Sequence, residues 1–171
     1  SDFTKPLTRL QASAIAVVLA EKLSGKSVSS AKSKTYSDTK SKYALKAAGA
    51  GIYGGASEGK FNPDGAVDRQ QLATFFYQAL MYAKKNKNVR YTPYESKLTR
   101  YSDNASIADW AKEAAAFMDA LGLVEGSSRT KFLPEETLTI EQALVIANNS
   151  LDAPNIGWYQ SGPSDTSGMA Y

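Results

Sequence analysis

Phe61-Asn62-Pro63-Asp64, followed after two residues by Val67-Asp68-Arg69-Gln70-Gln71, returns 71 positions later as Phe132-Leu133-Pro134-Glu135 and Leu138-Thr139-Ile140-Glu141-Gln142. Residues 51–71 match residues 122–142 without insertion, so two loops and the helix starts after them are expected to superimpose. A repeat of this kind fixes architecture before any single residue does. Working outward, Tyr36-Ser37-Asp38 and Tyr101-Ser102-Asp103 open the two units. Pro6-Leu7-Thr8-Arg9-Leu10-Gln11-Ala12 repeats the helix start alone, which reads as a third unit entered midway.

Each full unit reads as helix, glycine loop, turn and longer helix. Trp110, Ala111, Ala114, Ala115, Met118 and Leu121 recur at steps of three and four, which predicts a helix over residues 107–121 closed by Gly122. The matching helix runs from Tyr43 to Gly51 in eight residues where Trp110 reaches Gly122 in twelve. Four residues is about one turn, so the earlier helix should be one turn shorter. The second helices, residues 8–23, 68–83 and 139–151, are apolar almost all round, and a helix without a polar face belongs in an interior. The expectation is an all-α fold: a central three-helix bundle with the first helices and their loops packed around it. It reads as one domain over residues 1–151, with a partial repeat at 1–23 and repeats at 36–83 and 101–151. Residues 152–171 read as an irregular tail, tacked to the surface by Trp158 and Tyr159.

Thr8 with Gln11 and Thr139 with Gln142 have capping-box spacing, and Asp68 with Gln71 is a close variant. Leu7, Val67 and Leu138 precede the caps at the position of a hydrophobic staple. Capping does not need Arg9 or Arg69. A cation in the first turn faces the positive end of the helix dipole, so something must compensate it. One reading is a salt bridge to Asp38, Asp64 or Asp103. The other is that the arginine and the free N–H groups of the helix start jointly receive an anionic group. The third unit has Ile140-Glu141 at this place, which suits the dipole and removes anion binding.

The chain of 171 residues contains no Cys and no His, which excludes a thiol nucleophile, a Ser-His relay and a His- or thiolate-held zinc. Twenty Lys plus Arg against 17 Asp plus Glu is too even for a nucleic-acid binder, although Lys84, Lys85, Lys87 and Arg90 form one cluster and Lys26, Lys32 and Lys34 another. Both clusters read as solvated linker. The longest apolar run, residues 14–20, is too short to span a bilayer, so no membrane insertion is expected. No signal peptide is visible, and the first residue, Ser1, leaves room for a removed export signal or upstream domain. Asn62-Pro63-Asp64-Gly65 lacks the alternating acids of a calcium loop and reads as a turn, and no metal or cofactor is expected. Asp38 and Asp103 occupy the same place in two copies, which suits loop bracing twice better than one asymmetric catalytic pair.

These residues resemble the S-layer homology (SLH) family, whose repeats run aromatic-x-Asp, Trp-Ala, Gly-apolar-x-x-Gly, Phe-x-Pro and a Thr-Arg-Ala-Glu helix start. The third unit offers Tyr101-Ser102-Asp103, Trp110-Ala111, Gly122-Leu123-Val124-Glu125-Gly126, Phe132-Leu133-Pro134 and Thr139-Ile140-Glu141-Gln142. The second offers Tyr36-Ser37-Asp38, Tyr43-Ala44, Gly51-Ile52-Tyr53-Gly54-Gly55, Phe61-Asn62-Pro63 and Asp68-Arg69-Gln70-Gln71. The chain departs from the pattern in having Gln for the final Glu throughout, Tyr43 for Trp, Asp68 for Thr, no third arginine and no first prong.

The resemblance implies a pseudo-threefold spindle around the three-helix bundle. It also implies a non-catalytic module that anchors exported proteins to secondary cell-wall polysaccharide at a bacterial, Gram-positive-type surface, often through a pyruvylated, acidic sugar. Its ligand grooves lie between neighbouring prongs. Carried over, one groove combines Arg69 with Asp103, Trp110 and Gly126, and the other Arg9 with Asp38, Tyr43 and Gly55. The expected partner is acidic cell-wall polysaccharide, with other surface-layer or parent-protein domains beside it. The place of the missing prong is expected to be taken by an upstream segment, by the tail or by a second molecule. The competing reading is an SLH-like scaffold or protein-interaction module within a larger surface assembly.

Overall fold

The computed structural model describes residues 2–156. Five helices carry the chain: α1 (Arg9–Ser24), α2 (Lys42–Gly49), α3 (Arg69–Lys87), α4 (Asp109–Ala120) and α5 (Ile140–Ser150), with short 3-10 turns at Leu98–Arg100, Asn104–Ser106 and Ala153–Asn155. Only isolated β-bridges accompany them among the described residues, so the fold is all-α as the periodicity implies. No helix of the described residues is long and apolar enough to cross a membrane.

α2 has 8 residues and α4 has 12, the one-turn difference expected from the spacing. Both close in the same way. Ile52 N–H donates to Ala47 O and Leu123 N–H to Met118 O, each at 2.9 Å, and Gly51 and Gly122 take φ of 73° and 68°, the left-handed conformation glycine adopts freely. The helices are therefore in register from their C-terminal ends, with Ala44 and Ala47 buried where Ala115 and Met118 are. α4 begins at Asp109, two residues later than the apolar pattern suggests, because Ile107 and Ala108 are extended, and the N-cap N–H of Ala108 donates to Oε1 of Gln70 at 2.9 Å.

The starts of α1, α3 and α5 are tied into a ring. Leu7 N–H donates to Leu138 O, Leu138 N–H to Val67 O, and Val67 N–H to Leu7 O, at 2.8, 3.1 and 3.0 Å. Every donor of each helix start can be followed from there. In α1 the Thr8 N–H goes to Gln11 Oε1, the Arg9 and Leu10 N–H to Gly65 O and Pro63 O, and the Gln11 N–H to Thr8 Oγ1. In α3 the corresponding acceptors are Gln71 Oε1, Glu136 O, Pro134 O and Asp68 Oδ1. In α5 they are Gln142 Oε1, Lys5 O, Phe3 O and Thr139 Oγ1. All three capping boxes form, and glutamine serves because only its carbonyl oxygen is used. No helix-start N–H of these three remains for a ligand.

α1 packs on α3, α2 lies on α1, and α4 lies on α3, around a core that includes Leu7, Val17, Val67, Leu72, Phe76, Leu80 and Leu138. α5 departs from the all-round burial expected of it. It packs on α1, but no described helix covers it as α2 covers α1, and Leu144 and Val145 stay 43% and 55% exposed. The expected anchoring of a tail by Trp158 and Tyr159 lies outside the described residues.

Leu7 is fully buried at the ring, so Leu7→Ala should cost about 2 to 5 kcal/mol and lower the urea midpoint at unchanged m. Leu144→Ala should stay within about 0.5 kcal/mol of the parent.

Candidate functional site

The site is built on two loops that must hold a non-glycine residue in left-handed conformation. Asn62 has φ of 58° and Leu133 of 52°. Asparagine tolerates this, but for leucine it costs roughly 1 to 2 kcal/mol. The carboxylates of Asp38 and Asp103 hold the strained peptides in place. Asp38 accepts from Phe61 N–H at 2.9 Å and Asn62 N–H at 2.8 Å, and Asp103 from Phe132 N–H at 2.8 Å and Leu133 N–H at 2.9 Å. These bonds favour the ionised form. The Phe61 N–H is the largest influence on Asp38, whose pKa lies below the ordinary 3.8. At Asp103 partial desolvation works upward, but the Phe132 and Leu133 N–H groups outweigh it and the pKa is again lowered.

The arginines grip the other edge of the same peptides. Arg69 is buried, and its Nη1 donates to Phe132 O at 2.8 Å and Leu133 O at 3.0 Å while Nη2 pairs with Glu136 at 2.9 Å. Arg9 is half-buried, donates to Asn62 O at 3.1 Å, and lies 5.6 Å from the centre of the Tyr53 ring. The compensation for a cation at the helix start is therefore a set of loop carbonyls and, for Arg69, Glu136. Asp38, Asp64 and Asp103 are not its partners. Arg69 and Asp103 thus meet one loop from opposite sides, as Arg9 and Asp38 meet the other.

Gly55 and Gly126 sit under the tyrosines that open each unit. A Cβ on Gly126 would lie 2.5 Å from both Lys131 O and the Tyr101 ring, and one on Gly55 would lie 2.9 Å from Lys60 O and 3.0 Å from the Tyr36 ring. Tyr101 is fixed further by Asp119, which accepts its hydroxyl at 3.0 Å and holds Arg100 through both guanidinium nitrogens at 2.8 and 2.9 Å. The Gly126 N–H donates to the same hydroxyl at 2.9 Å. The Arg100-Asp119 pair had no signal in the repeat, because Thr35 and Ala48 stand at the corresponding places of the second unit.

The aromatic residues fall in different places. Trp110 is 59% exposed on the first turn of α4. Tyr43 is not its counterpart, because in the register set by the glycine ends Tyr43 corresponds to Ala114, and the turn that would carry a second Trp110 is the one α2 lacks. Tyr43 lines two concavities along α1, one reaching from Ala14 to Lys22 and the other from Val18 to Lys26, and Arg9 lines neither. Arg9 and Tyr43 therefore do not share a groove.

What does open beside Arg69 is a groove of about 340 Å³ with Val124, Leu138, Val145 and Ile146 on its floor and Glu125, Glu141 and Gln142 on its rim. Trp110 is not among the residues lining it. The equivalent place beside Arg9 is filled. Tyr53 stands where the third unit has Val124, 5.1 Å between ring centres from Phe75 and against Arg9. The glutamates and Val145 escaped the motif reading, although the exchange of Tyr53 for Val124 at a constant offset could have pointed to them.

Because both aspartate pKa values are lowered by folding, their stabilisation is present above the ordinary value of 3.8 and is lost as pH falls through the lower folded value. Asp103→Asn should melt below the parent at neutral pH, with the gap closing below about pH 4. A gap independent of pH would refute a role for the charge. Arg69→Ala, which strips two carbonyls and Glu136 of their donor, should lose more than about 2 kcal/mol in urea denaturation, and Arg9→Ala about 1 kcal/mol.

Residues 34–73 match the family model described as the S-layer homology domain, a segment that contains the second unit's prong, loop and helix start. Over 102 residues, 60% of this chain, the sequence is 29% identical to an endoglucanase of Bacillus sp. (strain KSM-635). The chain spans about a tenth of that protein's length. The S-layer homology match thus lies in residues 34–73, and the same clamped loop and capped helix start are repeated outside the matched segment.

Proposed function

We propose that this chain anchors its protein to the bacterial cell wall by binding secondary cell-wall polysaccharide, an acidic and in particular a pyruvylated polymer being the intended ligand. An S-layer homology domain is a non-catalytic cell-surface anchoring module, which gives the class of function. The single observation that carries polysaccharide binding, apart from the acid on the polymer, is the open groove beside Arg69. Its apolar floor suits the face of a sugar ring, and Glu125, Glu141 and Gln142 on its rim suit hydroxyl groups. Arg69 positions the groove wall, since both of its terminal nitrogens are engaged by the loop and Glu136. The exposed Trp110 ring offers a second stacking surface on α4.

The scaffold reading rests on another observation, a trough of about 500 Å³ between α1 and α5 lined by Ile15, Val18, Leu19, Leu144 and Leu151. An apolar surface of this kind suits protein contact better than a hydrated polysaccharide.

Co-sedimentation with Gram-positive cell walls, before and after chemical removal of the secondary polysaccharide, separates the two. Val145→Trp, at an exposed position on the groove floor, should leave the melting temperature near the parent's and weaken wall binding by about tenfold or more. Wall binding indifferent to both the polysaccharide and the filled groove would favour the scaffold.

A further inference from the structure

Lys87 of one lysine cluster comes close to Gly25, the neighbour of Lys26 in the other, at one end of the bundle. α1 and α3 bring their C-terminal ends together, so that a Cβ on Gly25 would lie 3.2 Å from Nζ of Lys87. Beside it, α1, the segment after it and α2 enclose a pocket of about 440 Å³. Lys22, Lys26, Lys42 and Lys46 line it, against one carboxylate, Glu21, with Tyr43 forming part of the wall.

Helix dipoles account for Lys22 and Lys46 in the last turns of α1 and α2 and for the lysines that end α3, but not for Lys42, which sits in the first turn of α2. Glu21 is already committed. It pairs with Lys46 at 2.8 Å and accepts from Val28 N–H at 2.9 Å. Lys22, Lys26 and Lys42 have no carboxylate within ion-pair distance among the described residues. Lys42 Nζ instead lies 5.3 Å from the centre of the Tyr43 ring, so an ammonium and an aromatic face are presented side by side. Lys42 shares the field of Glu21 with Lys46, but four lysines against one carboxylate leave the concave surface net positive, which raises the local concentration of anions.

We propose that this pocket is a second, electrostatic binding site for a polyanionic glycan, in which Lys22, Lys26 and Lys42 receive carboxylate or phosphate groups of the polymer and Tyr43 stacks on a sugar ring. The inference rests on the wall-anchoring reading for the source of its ligand and on its own geometry for the site. It assigns recognition of acid to the lysine end of the bundle, remote from Arg69, whose groove bears two free-standing glutamates.

The test uses the full chain and defined probes: hyaluronate oligosaccharides as the carboxylate polymer, poly(glycerol phosphate) as the phosphate polymer, and dextran as the neutral control. The Lys22→Gln, Lys26→Gln, Lys42→Gln triple variant keeps the Lys46-Glu21 pair. It should bind at least one polyanion about tenfold or more weakly and with a shallower salt dependence. A triple variant at Lys5, Lys97 and Lys131 should bind as the parent does. Tyr43→Ala should weaken binding to the hyaluronate oligosaccharides where Tyr43→Phe does not. Which polymer is lost identifies the acid. Equal binding by the parent and the first triple variant, or equal losses in both triple variants, would overturn the site. So would binding confined to single-stranded DNA or phosphatidylglycerol vesicles. Val145→Trp is read on wall binding and the first triple variant on the defined polyanions, so failure of the groove beside Arg69 and failure of the lysine pocket are read separately.

Discussion

The closed exchange of backbone hydrogen bonds among the three helix starts is the constraint on which the rest of the structure depends. A helix leaves its first four N–H groups without internal partners. In α1, α3 and α5 the third first-turn donor is met by the cap side chain, the first two by carbonyls of a neighbouring loop, and the N-cap N–H by the glutamine of the box. Since Leu7, Val67 and Leu138 pass one bond each around the ring, no helix start is complete without the other two. Their side chains are buried at the same place, so polar satisfaction and apolar burial select one arrangement together.

This arrangement redefines what the loops are for. A loop that supplies carbonyls to a neighbouring helix must hold those carbonyls in fixed positions, including across the left-handed Leu133. Asp103 and Arg69 do so by gripping N–H and C=O groups from opposite sides, and Asp38 and Arg9 repeat the device with one fewer ion pair. Residue types suited to catching an acidic sugar are thus spent, in this chain, on holding backbone. What remains open is a groove with glutamates on its rim and, at the far end of α1, a pocket of lysines.

The three caps, the glycine-closed ends of α2 and α4, the all-α class and the missing turn of α2 were legible from residue order, because each depends on contacts within about four residues, whereas α3 runs on to Lys87, four residues past its expected end. The site was legible only in part. Asp38, Asp103, Gly55 and Gly126 stand at repeated loop positions that the motif points to, but Arg9 and Arg69 find their partners 53 to 67 residues away, and Tyr43 is displaced by the turn its helix lacks. Apolar composition misled for α5, since Leu144 and Val145 are buried only if another element lies over them and none does among the described residues.

By itself the sequence determined the repeat, its caps and its turns, and with them which backbone donors need partners, because hydrogen bonding at a helix start is set by a handful of adjacent residues. Only the tertiary structure decided which groups answer those donors and which remain free. Carbonyls from distant loops compete with any ligand for the same N–H and guanidinium groups, and that competition is settled by proximity in space, which residue order does not carry.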